Sequence, residues 1–328
     1  MRRLRRNRLD PSRRSLIEET DLSSGHLIAP LFIMEGESCQ EELKHMPGVY
    51  RYTLDLACQQ AKHYYKLGVN AVLLFPVITS AHKDEKGSEA LNENHFFLRA
   101  IATLKQQCPA LCLMTDIALD PFTSHGHDGL IDNKGQILND ESLDIFKKMA
   151  LLHAKAGADY VAPSDMLDGR IEVIRAYLDQ HGFTYTGIMA YSAKYASAFY
   201  GPFRDCLGSG LKVGDKKSYQ LSPSNIRESL LECQQDEAEG ADILLVKPAS
   251  LYLDVIYALR RQTHLPIAAY HVSGEYAMLH AAAQKGILDL DKALMEHLLS
   301  IRRAGADLII TYGAAYLLEK GLITSKRS

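Results

Sequence analysis

The chain has no apolar run long enough to cross a bilayer, no CxxC pair, no GxGxxG turn, no linker rich in Pro, Gly or Ser, and little net charge. Each absence narrows the field. A formal charge of −3 over 328 residues sets up no overall field for nucleic acid or acidic lipid, so neither partner is expected, and no membrane span is expected either. The six cysteines (Cys39, Cys58, Cys108, Cys112, Cys206, Cys233) have neither knuckle spacing nor a secretory leader ahead of them. That pattern argues against a disulfide framework and for the cytoplasm, with the thiols acting as small buried hydrophobes or bland surface groups. Without GxGxxG after a strand, the usual dinucleotide site of an open doubly wound sheet is missing. With no linker to divide it, a chain that is 47% apolar and 23% charged is expected to build one folded body.

Charge is distributed unevenly at the start, where seven of the first fourteen residues are arginine (Arg2, Arg3, Arg5, Arg6, Arg8, Arg13, Arg14). Such an arm can bind nucleic acid, imitate a transit peptide, or lie on an acidic surface of a neighbouring subunit. Glu18, Glu19 and Asp21 follow closely, and transit peptides avoid acidic residues. We therefore read residues 1–25 as an arm for subunit contacts and 26–328 as the folded body.

What the body does contain is one short phrase, four times over: Gly68-Val69-Asn70, Gly157-Ala158-Asp159, Gly240-Ala241-Asp242 and Gly305-Ala306-Asp307, each leading into branched apolar residues. Gly accepts the left-handed conformation that ends a helix, and an unbroken apolar run is what a strand buried on both faces looks like. Further runs of that kind lie at 26–33, 111–119, 184–191 and 265–272, making eight candidate strands. Helical patterns separate most of them, at 54–66, 93–107, 141–155, 171–180, 226–238 and 251–261. Eight alternating strand and helix units predict a (β/α)8 TIM barrel of the α/β class, with a doubly wound sheet as the runner-up. Residues 199–220, with Gly201, Gly208, Gly210 and Gly214, read as a long mobile lid after the fifth strand.

A barrel keeps its chemistry at the C-terminal ends of its strands. Standing there are Asp116 and Asp120 after strand three, Ser164 and Asp165 after strand four, Lys194 after strand five, Lys247 after strand six, Ser273 after strand seven and Tyr312 after strand eight. Lys247 ends an apolar run, so desolvation and a second ammonium from Lys194 are expected to lower its pKa and leave a neutral amine able to attack a ketone. Arg204, Lys216 and Gln220 in the lid suit one carboxylate, and Ser273 with Tyr312 suits another.

The motifs Ala162-Pro163-Ser164-Asp165-Met166-Leu167-Asp168-Gly169-Arg170, Tyr191-Ser192-Ala193-Lys194-Tyr195-Ala196-Ser197, Tyr200-Gly201-Pro202-Phe203-Arg204-Asp205, Val246-Lys247-Pro248 and Val272-Ser273-Gly274-Glu275-Tyr276 resemble those of the porphobilinogen synthase (5-aminolaevulinate dehydratase) family. With Met46-Pro47-Gly48-Val49, the likeness runs over essentially the whole chain. It implies condensation of two 5-aminolaevulinate molecules with loss of two waters, an early step of tetrapyrrole (haem) biosynthesis needing no organic cofactor. It further implies a Schiff base on Lys247 for the propionate-side molecule and on Lys194 for the acetate-side one. By the same likeness Asp116 and Ser164 lie in the reacting pocket, Arg204, Lys216 and Gln220 hold the acetate-side carboxylate, and Ser273 and Tyr312 hold the propionate-side one.

One departure bears on metals. Where the family's zinc-dependent branch has three cysteines, this chain has Ala118, Asp120 and Asp128, so a three-cysteine catalytic zinc is not expected. Oxygen ligands suit magnesium or a monovalent cation, and whether Asp120 and Asp128 bind any metal stays open; His125 and His127 are a weak signal for zinc. Glu232 matches the position of an allosteric magnesium at a subunit boundary, and the likeness implies a homo-octamer. Two competing readings remain at this point. A class I aldolase would need only one reactive lysine, and a nucleic-acid module would work through the arginine arm.

Overall fold

The computed structural model describes residues 1–208, 210–212 and 214–325; Ser209 and Val213 of the expected lid, and 326–328 of the expected body, lie outside the described residues. Eight parallel strands close into a barrel: β1 (Leu27–Met34), β2 (Ala71–Val77), β3 (Cys112–Ile117), β4 (Tyr160–Pro163), β5 (Gly187–Lys194), β6 (Ile243–Lys247), β7 (Ile267–His271) and β8 (Leu308–Thr311). Each pairs with the next, and Leu27 against Ile309 with Ile28 against Ile310 closes β1 onto β8. All eight expected strands are present, and the expected helices appear as Leu54–Leu67, Phe96–Gln107, Asn139–Ala156, Arg170–Gln180, Arg227–Ala238 and Leu253–Arg260.

The repeated phrase has two mechanical parts. Its glycines take the positive φ that ends a helix, from 96° at Gly68 to 121° at Gly305. Its aspartates do something the sequence reading did not foresee. Asp159 accepts the N–H of Leu113 at 2.8 Å, Asp242 that of Ile188 at 2.7 Å, and Asp307 that of Ile267 at 2.9 Å. Each carboxylate, standing just before its own strand, thus satisfies a backbone donor of the preceding strand one residue before the ladder between those two strands begins.

Strand residues alternate between two cores. Leu244 and Val246 face the helices, whereas Ile243 and Leu245 join Phe32, Phe75, Met189, Tyr191, Tyr270 and Ile310 in the lumen. A hairpin of Gln40–Glu42 and Tyr50–Thr53, with the Met46-Pro47-Gly48-Val49 turn at its tip, pairs with the end of β1 and packs onto the lumen cluster. The expected lid departs from a simple loop: Ala198–Tyr200 is a 3-10 turn and Gly201–Leu207 an α-helix. Burial of Tyr200, Cys206 and Leu207 in the lumen cluster outweighs the glycine-rich texture that suggested coil. Residues 1–20 carry no buried side chain, and Leu4, Leu9, Leu16 and Ile17 stand exposed beside the arginines.

Candidate active site

The two strand-end lysines sit opposite each other in the β5–β6 ladder, Lys194 against Lys247. A β-bulge makes this possible. Ala190 pairs with Leu244 but Ala193 pairs with Val246, so β5 carries one extra residue. Before the bulge the odd positions Met189 and Tyr191 face the lumen; after it Ala193 joins the outer core, and Lys194 is brought to the inner face beside Lys247.

Lys247 is buried within four rings, its Nζ 4.6 Å from the centroid of Tyr270, 4.8 Å from Phe203, and 5.2 Å from both Tyr191 and Tyr200. Burial and then the neighbouring Lys194 push its pKa down to about 7. Aromatic faces attract an ammonium, while the burial they cause disfavours its charge, and burial is the largest influence on Lys247. Lys194 Nζ donates to the carbonyl oxygen of Ser164 and to Asp128 Oδ2, the latter at 3.3 Å.

The carboxylates divide by their surroundings. Asp116 is pushed up to about 7 by burial and by Asp120, against the pull of both lysines. Burial also raises Asp120, against Lys216. For Asp128 burial acts upward too, but Lys194 and Lys216 outweigh it and hold the group well below the usual carboxylate range. Lys216 reaches this cluster from the lid, 2.8 Å from Asp128 and 3.5 Å from Asp120, and the two carboxylates outweigh burial to raise its pKa.

At the far side of the mouth Tyr312 shares a 3.1 Å hydrogen bond with Tyr270, and Ser273 Oγ accepts from Phe203 N at 3.1 Å. Arg204 lies over the Tyr200 ring at 5.8 Å, and Gln220 is buried next to Leu221, whose N–H donates to the Lys194 carbonyl at 3.0 Å. Lys247, Lys194, Asp116, Ser164, Asp120, Asp128, Lys216, Ser273, Tyr312, Arg204 and Gln220 thus converge on one mouth. Asp116 Oδ1, Tyr191 Oη and Gln220 Oε1 are buried there without a hydrogen-bond partner among the described residues, which leaves polar atoms available to a ligand.

Glu232 does not belong to this set. It sits on the outer helix Arg227–Ala238, 3.4 Å from Arg170, which also makes a bidentate pair with Asp236 at 3.0 Å and 3.0 Å. Burial, with Asp236 and Asp168 adding to it against Arg170, pushes Glu232 up to about 7. His125 and His127 are tied into the loop after β3: His125 binds the Glu85 carbonyl at 3.1 Å and His127 binds Tyr219 Oη at 3.0 Å. Among the described residues no three His, Cys, Asp or Glu side chains are grouped to hold a metal ion. The sequence reading missed the four rings around Lys247, although counting back by twos from Lys247 along β6 and carrying that parity to β7 would have put Tyr270 in the lumen.

A catalytic barrel with two buried lysines in register narrows the field, and sequence relatives decide it. The family model described as ALAD, delta-aminolevulinic acid dehydratase, matches residues 1–320. The chain belongs to the delta-aminolevulinic acid dehydratase (porphobilinogen synthase) family, hydro-lyases of tetrapyrrole biosynthesis that join two 5-aminolaevulinate molecules into porphobilinogen. It is 53% identical over 318 residues to the delta-aminolevulinic acid dehydratase of Chlamydia pneumoniae, covering 97% of this chain and 96% of that one. The chloroplastic enzyme of Glycine max is 51% identical over 95% of this chain and 76% of its own. Among solved structures, the Toxoplasma gondii ME49 enzyme in complex with the reaction product porphobilinogen superposes with a TM-score of 0.95 at 44% identity, over 98% of this chain and 91% of that one. No helix among the described residues is long and apolar enough to cross a membrane.

Proposed function

We propose that Lys247 and Lys194 each bind one 5-aminolaevulinate as an imine, Lys247 taking the propionate-side molecule and Lys194 the acetate-side one. The observation that carries this is their in-register pairing on the lumen face of β5 and β6. Two imines so held bring two substrate molecules together without loss of further translational freedom, which is the main work an orienting site can do. Lys247, near half-neutral at pH 7, attacks the ketone carbon; a C–N bond forms and the carbonyl oxygen leaves as water. Asp116, buried beside both lysines with a pKa near 7, gives and takes protons in that exchange. Lys194 is aimed by its hydrogen bonds to Asp128 Oδ2 and to the Ser164 carbonyl oxygen.

In this reading Asp120 and Asp128 serve as counter-ions to Lys216 and Lys194. Arg204, Lys216 and Gln220 close over the acetate-side carboxylate, Ser273 and Tyr312 take the propionate-side one, and Ser164 lines the reacting pocket. The chain belongs on this reading to the branch without a three-cysteine zinc, with magnesium acting outside the pocket. Glu232 would offer such an ion one carboxylate, which it now shares with Arg170 at 3.4 Å. The ion would supply charge neutralisation there. The arm, residues 1–25, whose first twenty residues leave their arginines and leucines exposed, packs on a neighbour in a homo-octamer in the cytoplasm.

Borohydride added with 5-aminolaevulinate should leave a reduced adduct on Lys247, found by peptide mass mapping. An adduct confined to other lysines, or normal turnover in Lys247→Ala, would defeat the assignment.

A further inference from the structure

We propose that Glu275 sets the length of oxo acid accepted at Lys247, acting as a positioning residue. The proposal rests on the reading above, in which Lys247 takes the ketone carbon while Ser273 and Tyr312 take the carboxylate of the same molecule. Glu275 is fully buried, and its two oxygens serve the segments that follow two different strands. Oε2 accepts the N–H of Val272 at 2.7 Å, in the turn that leads from β7 into the helix Ser273–Gln284. Oε1 accepts the N–H of Ser250 at 2.7 Å and also the Ser250 hydroxyl, in the segment that follows Lys247.

A glutamate three residues into a helix that reaches back to the first amide is ordinary capping. Capping accounts for one oxygen. It does not account for the second, which crosses to the loop after β6, nor for burying a carboxylate whose desolvation must be offset by those donors. The placement has a mechanical sense. The ladder between β6 and β7 ends at Val246 and Ala269, one residue before Lys247 and four before Ser273. Beyond that end the Glu275 carboxylate ties the two segments together. The Lys247 carbonyl is held from the opposite side by Tyr195 N at 2.9 Å and Tyr200 Oη at 3.1 Å. The amine that takes a ketone carbon and the hydroxyl that takes a carboxylate are thus set at a constant span. In 5-aminolaevulinate two methylenes separate those groups, and a constant span selects that number.

The test uses 4-oxopentanoate, which has the same two methylenes, and 5-oxohexanoate, which has three; neither has the amino group needed for the full reaction. Rates of borohydride-trapped adduct on Lys247 are compared at subsaturating acid. The parent should prefer the shorter acid by at least about tenfold, the usual worth of one methylene. Glu275→Gln keeps the shape but opposes one N–H with another, and the preference should collapse toward parity. Ser250→Ala removes a single donor and should give a smaller change of the same direction, and it decides alone should Glu275→Gln not fold. Equal slowing of both acids with the ratio unchanged would mean that Glu275 is merely structural and would overturn the proposal, as would a parent blind to length. An adduct on a lysine other than Lys247 in the parent overturns the imine reading and this proposal with it, whereas an adduct on Lys247 with an unchanged ratio overturns this proposal alone.

Discussion

Removing the charge of Lys194 should move the pH at which Lys247 becomes reactive. Lys247 stands at about 7 instead of the ordinary 10.5, first through burial and then through Lys194, while Asp116 pulls the other way. A lysine with the ordinary value is neutral only about three times in ten thousand at pH 7, whereas one near 7 is neutral about half the time, a gain on the order of a thousandfold in attacking amine. That shift corresponds to roughly 5 kcal/mol of differential stabilisation, too much for Lys194 alone if effective interior screening is near that of partly buried pairs. Lys194→Gln should therefore raise the midpoint only part of the way, and the first unit of rise should slow imine formation at pH 7 about fivefold, each further unit about tenfold. Asp116→Asn should lower the midpoint, because Asp116 favours the charged amine. The assay is the initial rate of cyanoborohydride-trapped adduct with 4-oxopentanoate across pH, with the adduct assigned to Lys247 by peptide mass mapping in parent and variant. The parent rate should climb with pH and level off above about 7. An unchanged midpoint in Lys194→Gln, or a parent rate still climbing steeply above roughly pH 9, would refute the reasoning.

Three further outcomes follow from other parts of the fold. Arg204→Ala, on the helix packed over Lys247, should impair use of the second 5-aminolaevulinate far more than imine formation with the first, read by single-turnover trapping against steady-state porphobilinogen release; equal loss in both counts against a lid role. Asp307→Ala strands the buried N–H of Ile267 and removes the ion pair with Arg260, and should cost about 1–3 kcal/mol in urea unfolding with the active enzyme's kinetic constants little changed. Removing residues 1–14 should yield smaller, poorly active species by light scattering, while Glu232→Ala should abolish magnesium stimulation and leave the Lys247 adduct intact; a zinc-selective chelator should not affect activity, and tightly bound stoichiometric zinc with magnesium-insensitive turnover would sink the metal assignment.

The barrel was legible because its signals are local. A glycine that ends a helix and an apolar run that fills a strand are each written within a few residues, and the four phrases recur at Gly68, Gly157, Gly240 and Gly305 with the positive φ they imply. The strand-end positions of the candidate residues were legible for a related reason: strand ends are where polar side chains interrupt apolar runs, as Lys247 does after Val246. Less could be read where partners come from distant segments. The Asp159, Asp242 and Asp307 straps each join residues 40 to 54 positions apart, and nothing beside them in the chain says which amide they accept. The lid helix was hidden because glycine content counts against helix locally, while the burial of Tyr200, Cys206 and Leu207 that favours it is tertiary.

The β5 bulge is where local reading fails most consequentially. Strict alternation from Met189 and Tyr191 puts Ala193 in the lumen and Lys194 among the helices, where an ammonium would face the outer core. A one-residue slip in a strand exchanges its faces, so the extra residue between Ala190 and Ala193 is what turns Lys194 inward opposite Lys247. Periodicity alone would have rejected Lys194 as a partner; the expectation survived because it came from chemistry, two amines at adjacent strand ends, and from family resemblance. The bulge thus links sequence to mechanism in a definite way. Pairing two amines across one ladder requires both to face the same side, β6 meets that requirement by simple alternation through Ile243, Leu245 and Lys247, and β5 meets it only by breaking its own period. The same break leaves Ser192 within the bulged stretch, fully buried, its hydroxyl donating to the Ala190 carbonyl at 3.2 Å and so satisfying a backbone acceptor beside the interrupted ladder.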